Sequence, residues 1–423
     1  MGGVAGHMSH LHEDLNLSFN DLISIINKVA QAEIKPVEKV DGQNIFLSVD
    51  RFGQPKAARN VGDIKKGGMT PADYAKKWEG HPAENAFMNG FKAITLALNS
   101  MSVEEKIAIF GGGNRYVNME IMYPANPNII NYGASYVVVH ELQTFEKTGT
   151  RVVTGDEAQA FEFLKQKVNA AEIAIDNETW KVYGPQVIPL NNIANSVPHQ
   201  NAIAKITEIA DSAGGTNSTI GDYSKIIFSE MCKAAGLDEV TIDGLIDIAY
   251  GDHDKAARSL KLKELKKSAP SHAKIISSFG TKVNSKKVIL SSLTSLERII
   301  SDFAIAVLRG VKSFFAVDHD KAVSEMRAEL ELSIQQLQSV AEAGDEKMAG
   351  LLEKQLEKLA NIENVASSLE GIVFEVNGKI YKMTGAFAMV NQLIGRARRL
   401  PKAAVKESIL RKFIRKVLKG FTF

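Results

Sequence analysis

From the N-terminus to about residue 196, the spacing of hydrophobic positions switches repeatedly between two periods. Ser18–Gln31 carries Phe19, Leu22, Ile23, Ile26 and Val29 three and four residues apart behind a Ser18 cap, which predicts a helix. Ala86–Ser100 and Glu157–Val168 follow the same spacing. Short runs rich in branched and aromatic residues predict strands at Asn44–Val49, Lys106–Phe110, Val117–Met122, Ser135–Leu142 and Val182–Leu190, bounded by turn formers such as Asp50–Gly53 and Gly111–Asn114. From Val197 to Ser368 the pattern is almost wholly helical, with Val288–Phe315 and Lys321–Val365 the longest runs. Strand character then returns at Gly371–Glu375 and Lys379–Met383 across Val376-Asn377-Gly378, a strong hairpin signal. From Phe387 on, the chain reads as basic amphipathic helix. A hairpin that reappears after a helical block implies that the block is inserted into a split α+β body. The expected units are 1–196, an all-α insertion over 197–368, a returning hairpin over 369–394, and a C-terminal helix over 395–423.

Composition changes this picture in two places. The length of 423 residues suggests two or three units at roughly 150 residues each, and 45% hydrophobic with 24% charged residues is an ordinary globular balance. The net charge of +2, from 51 Lys+Arg against 49 Asp+Glu, names no partner. It is unevenly spread: Gly395–Phe423 holds ten Lys/Arg against Glu407 alone, a local +9 on a body of −7. Cys232 is the single cysteine, so an intramolecular disulfide and a Cys-rich zinc module are both excluded. No apolar run reaches the roughly 20 residues of a membrane-spanning helix, and no signal-peptide core is visible. A soluble, cytoplasmic protein with no membrane partner is the expectation. The opening MGGVAGHM reads equally as a native leader or a cloning scar, and the oligomeric state is open.

The residues that carry chemistry come in series. Glu38-Lys39-Val40-Asp41-Gly42 sets an amine beside a tight turn where a ligand can approach the backbone. Alone, Lys-x-Asp-Gly is weak, with a chance of about one in ten of arising by accident in such a chain. Arg59-Asn60 follows, then Asn118-Met119-Glu120-Ile121, then Ser135–Leu142, then Glu370-Gly371-Ile372-Val373, and finally a strand bearing Lys379 and Lys382. Singly, each has a plain structural reading: a solvated turn lysine, an Arg59–Glu120 salt bridge, a helix-to-strand junction, edge-strand lysines. Their ordered coincidence is the argument for function.

In that order the blocks resemble the covalent nucleotidyltransferase superfamily of ATP-dependent DNA ligases, RNA ligases and mRNA capping enzymes. They are also similar to uncharacterised tailed-phage proteins with the same EKxDG and EGIVF…NGKxYKxTG blocks. The resemblance covers roughly residues 35–190 and 366–390. It implies a ligase-type nucleotidyltransferase fold, of antiparallel sheets with flanking helices, that uses ATP and Mg²⁺. By resemblance Lys39 is the nucleophile that forms lysyl-AMP, and Lys382 is the cation at the α-phosphate, with Lys379 assisting. Glu370 would hold the metal, Arg59 and Glu120 would bind the ribose or flanking phosphate, and Glu38 would lie beside the adenine. Asp41 and Gly42 belong to the same nucleotide-binding turn. A lysine attacks only as the free amine, so desolvation and a neighbouring cation should lower the pKa of Lys39. Three departures narrow the expectation. His140 stands where the family has an aromatic residue on the adenine, which leaves ATP against GTP open. The lysine strand reads Lys-Ile-Tyr-Lys rather than Lys-x-Lys. No β-barrel follows Lys382, which shifts the expectation from DNA ligases and capping enzymes to RNA-ligase-like enzymes.

Other features rank lower. Gly111-Gly112-Gly113 lacks a following Gly-Lys-Ser/Thr and reads as a loop between strands. Asp252-His253-Asp254 and Asp318-His319-Asp320 precede helical runs and read as caps rather than metal ligands. His7, His10 and His12 read as flexible, and Cys232 as packed core. In the tail, Arg396, Arg398, Arg399, Arg411, Lys412 and Arg415 are the nucleic-acid candidates, with RNA favoured over DNA. Three functions therefore stand: a polynucleotide ligase, a catalytically silent phage structural or nucleic-acid-binding protein, and a protein-AMPylating enzyme.

Overall fold

The computed structural model describes residues 8–315 and 369–385, apart from residues 128, 129, 131, 285 and 286. The strands are β1 Ser9–His10, β2 Val37–Lys39, β3 Gln43–Val49, β4 Pro55–Ala58, β5 Arg115–Met122, β6 Ser135–Phe145, β7 Arg151–Val152, β8 Ala171–Ile175, β9 Glu178–Tyr183, β10 Gly371–Val376 and β11 Lys379–Thr384. The helices are α1 Phe19–Ala30, α2 Val61–Lys65, α3 Pro71–Trp78, α4 Glu84–Ala97, α5 Val103–Phe110, α6 Glu157–Val168, α7 Val197–Ser212, α8 Ile220–Ala234, α9 Glu239–Tyr250, α10 Lys255–Ser268, α11 Ala273–Asn284, α12 Lys287–Ser292 and α13 Thr294–Leu308. The protein is a mixed α+β chain, and no helix among the described residues is long and apolar enough to cross a membrane.

Two sheets organise the chain. The larger runs β4-β3-β5-β6-β9-β8, with β7 on β6, and is antiparallel except where β6 and β9 pair in parallel. The smaller runs β1-β11-β10-β2, with β1 parallel to β11. Neither sheet closes on itself among the described residues. Alternation along each strand gives each sheet two unlike faces. In the larger sheet Ile45, Leu47, Val49, Val117, Met119 and Ile121 pack on α3–α6, while Asn44, Asn118 and Glu120 occupy the other face. In the smaller sheet Ile372, Phe374, Tyr381 and Met383 join α1 and the helices α7–α13 in one continuous core. Val37, Lys39, Val373 and Lys382 share the opposite face, by the register that pairs Lys39 with Gly371 and Val373 with both Val37 and Lys382. The helical block and the returning hairpin are therefore bound together by apolar packing.

Several local expectations are revised. Lys106–Phe110 belongs to helix α5, not to a strand. A Ser102–Glu105 capping box starts that helix, and Gly111, at φ 58°, ends it. The glycine triplet thus joins a helix to a strand. Val182–Leu190 is strand only as far as Tyr183, and the helical run ending at Phe315 stops at Leu308. His10 and His12 are ordered, in β1 and in the helical turn after it, with His12 only 7% exposed. Asp254 caps α10 by accepting from the Ala257 N–H, and Cys232 is buried. The Asp318 copy of that motif and the basic tail, with Arg396, Arg398, Arg399, Arg411, Lys412 and Arg415, lie outside the described residues.

The hairpin turn fits its sequence. Val376 pairs with Lys379, which leaves Asn377 (φ 53°) and Gly378 (φ 74°) as a two-residue turn with both φ positive. A β-branched side chain at the second position is strained there. Gly378→Val should destabilise the hairpin by about 1–2 kcal/mol, read as a lower urea midpoint, and Asn377→Gly should not.

Candidate functional site

The polar faces of the two sheets meet at Lys39. This residue ends β2, and Val40-Asp41-Gly42 carries the chain into β3. Buried Asp41 fixes the turn twice: its N–H donates to Tyr132 Oη at 2.9 Å, and its Oδ2 accepts from the Ile130 N–H at 2.8 Å. Gly42 donates to Glu120 at 3.2 Å, and a Cβ here would lie 2.9 Å from the Ile121 carbonyl oxygen. The glycine of Lys-x-Asp-Gly is thus required by the close passage of β5. Gly371 is crowded in the same way, since a Cβ would collide with the Met383 carbonyl of the neighbouring strand.

Lys39 Nζ lies 2.5 Å from Glu370 Oε2. Burial pulls the pKa of Lys39 down, but Glu370, Glu120 and Asp41 outweigh it and hold the pKa well above the ordinary lysine range. The expected depression is not found: the amine is a paired cation. The carboxylates show the counterpart of that pairing. Burial raises Glu120 to about 8 against the opposing field of Lys39, and burial raises Glu370 as well. Lys382 is displaced downward, first by burial; Lys39 acts in the same direction, against Glu13 and Glu370.

Arg59 follows β4, and its guanidinium donates to the Asn44 carbonyl and lies over the Phe87 ring at 5.6 Å. Burial lowers its pKa, while Tyr74, Glu120 and Asp63 oppose. His140 sits at a β-bulge: Asn118 pairs with Glu141 and Met119 with Val139, so His140 is the extra residue. Its Nε2 is buried without a hydrogen-bond partner, and burial, aided by Lys39, pushes its pKa down to about 4. The ring is therefore neutral at physiological pH.

Two candidates point elsewhere. Glu38 projects to the helical side of β2. It accepts from Ser313 Oγ at 2.6 Å and from the Phe314 N–H at 2.8 Å, so both oxygens are engaged. Burial raises its pKa to about 7. Lys379 shares a strand face with Tyr381, and both bond Asp14 Oδ2, at 2.9 and 2.8 Å. It is on the face opposite Lys382, because residues three apart on a strand face opposite ways.

Sequence reasoning missed several neighbours. Tyr132 braces the lysine turn, and Asn44 and Asn118 hydrogen-bond to each other on the site face. Glu13 and His12 lie within the field of Lys382, and His10 pairs with it in register. No local signal announced Ser313 or Phe314, which lie more than 270 positions from Glu38.

Among the described residues no three His, Cys, Asp or Glu side chains are grouped so as to hold a metal by themselves. Mg²⁺ needs only one or two carboxylates when phosphate oxygens and waters complete its shell. Glu370 and Glu120 are buried carboxyls beside Asp41 and Lys39, within the one or two that such a shell asks of a protein. No protein-family model matches the chain, and no curated protein matches it.

Glu120 gives a pH prediction. The folded state holds its proton up to about pH 8, whereas the ordinary value is 4.5. Raising pH through that interval strips the unfolded chain first and so lowers stability. The unfolding temperature of Glu120→Gln, relative to the native protein, should therefore rise between pH 5 and pH 8.5, as thermal scans would read.

Proposed function

We propose that this chain has the ligase-type nucleotidyltransferase fold and is an ATP-dependent, RNA- or polynucleotide-ligase-like enzyme that acts through lysyl-AMP on Lys39. The supporting observation is the convergence on one amine of Glu370, 331 positions away, and Glu120, with Lys382 close enough to feel the same charge. Lys39 Nζ would attack the α-phosphorus of ATP; a P–N bond forms, the P–O bond to the β-phosphate breaks, pyrophosphate leaves with the electron pair, and the amine sheds its protons to solvent. A polynucleotide 5′-phosphate oxygen would then displace Lys39 and take the AMP. Glu370 would hold Mg²⁺, which would neutralise phosphate charge, and Glu120 would bind the ribose or flanking phosphate beside it. With Glu370 so engaged, Lys39 loses its nearest counter-charge, and burial together with Lys382 then favours the free amine. Arg59, which packs against Phe87 and feels the charge of Glu120, would reach the ribose or flanking phosphate from the edge of the sheet, and the neutral ring of His140 beside Lys39 is suited to stacking on a nucleobase. Glu38 would meet a base only by releasing Ser313 and Phe314. RNA is the favoured acceptor.

A second reading is favoured by the Lys39–Glu370 pair itself, which a silent structural lysine would also make: a phage structural or nucleic-acid-binding protein that keeps the fold. Protein AMPylation shares the first step and differs only in the acceptor.

Incubation with α-labelled ATP and Mg²⁺ separates these. The protein should acquire acid-labile label, Lys39→Ala should abolish it, and Glu370→Gln should reduce it at least tenfold. Absence of label with every nucleotide would sink the enzyme reading. Sealing of nicked RNA against transfer to protein identifies the acceptor.

A further inference from the structure

Helix α13 ends at Leu308, and Gly310, at φ 75°, turns the chain into a strap, residues 309–315, that reaches β2. Its clamp is the pair of bonds from Ser313 Oγ and the Phe314 N–H to Glu38. Val311 and Phe315 are buried, with Phe315 edge-on to Tyr136 at 5.0 Å and to Tyr132 at 6.2 Å. Three side chains of the strap face outward: Arg309 and Lys312 are exposed, and the Phe314 ring is 49% exposed. That ring is propped at near right angles by Tyr183 at 5.4 Å and Phe315 at 5.2 Å.

One exposed phenyl ring is ordinary on a protein surface. Phe314 differs in that a hydrogen bond from its N–H to buried Glu38 fixes its backbone, two aromatic neighbours pack against its ring, and cations lie two and five positions before it. We infer that the strap is a contact for single-stranded nucleic acid, with an unpaired base stacked on Phe314 and the adjoining phosphates met by Lys312 and Arg309. Basic residues interleaved with an aromatic ring suit this occupant, since every base offers a π-face and every linkage a charge. A folded protein partner would instead call for a continuous apolar patch, which the flanking cations interrupt. The inference deepens the ligase reading, and rests on it for the statement that the strand is the acceptor. Glu38 adjoins Lys39 in sequence but projects from the other face of β2. The stacked base therefore belongs to a nucleotide neighbouring the reacting end.

Fluorescence anisotropy with a 5′-phosphorylated RNA of about twelve unpaired nucleotides, and with DNA of the same sequence, tests the contact. Phe314→Ala should weaken binding about five- to hundredfold, and Phe314→Trp should restore it. Emission of the Phe314→Trp protein, compared with the native chain, should be quenched as strand is added, a change that a purely structural side chain would not report. Lys312→Ala should flatten the slope of log affinity against log salt by about 0.7. Equal binding by native and Phe314→Ala proteins, no binding by either, or emission indifferent to saturating strand would each overturn the inference. Phe314-dependent binding without lysyl-AMP labelling would sink the ligase reading and leave the strap standing; labelling with Phe314-independent binding would do the reverse.

Discussion

A lysine amine set among three carboxylates is the constraint on which the rest of this site depends. Lys39 and Glu370 are 19% and 13% exposed, so neither charge is tolerable without the other. Glu120 and Asp41 crowd further acidic groups around the same ammonium, and burial first, with these neighbours adding to it, raises the pKa of Glu120 and Glu370. To bring these groups together, the small sheet must hold its register, the Lys39–Gly42 turn must press on β5, and glycines must stand at 42 and 371.

The packing follows from the same requirement. Each sheet gives its apolar face to helices, the larger to α3–α6 and the smaller to α1 and α7–α13. What remains is a pair of polar faces, which meet around the charges rather than around a core. The helical block packs on the back of the small sheet and grips the lysine strand through Glu38. The Lys39 charge cluster on one side of β2 and helical packing on the other are therefore separated by a single peptide unit, the one between Glu38 and Lys39.

Much of this was legible because it is local. Ser18 caps α1 where the spacing predicted, and Asn377-Gly378 forms the turn its dipeptide announces. Glu120 and Lys382 reach Lys39 as their order in the chain suggested. Helix α5 was misread because Ile107-Ala108-Ile109-Phe110 is too short and too apolar to show a period, although the Ser102–Glu105 box and Gly111 were there to be used. The parting of Lys379 from Lys382 was also readable, from strand alternation alone. Glu38 was not readable: its partners lie beyond the entire helical block, and no spacing rule carries such a contact. The bulge at His140 was equally hidden, being a property of the pairing between β5 and β6 and not of either strand.

The small sheet has a further consequence, for the order in which the protein is made. Its strands come from positions 9–10, 37–39, 371–376 and 379–384, and the first and last of these pair in parallel. Until residue 371 has been synthesised, β1 and β2 have no partner in that sheet, and Lys39 has no Glu370. The larger sheet needs nothing beyond residue 183 and can assemble long before. A nascent chain thus carries its amine for most of its synthesis beside an incomplete site, and a chain released early never acquires one. Beyond its own hairpin, the small sheet is thus built of pairings between the two ends of the described chain, β1 with β11 and β2 with β10, each closed over more than 300 positions.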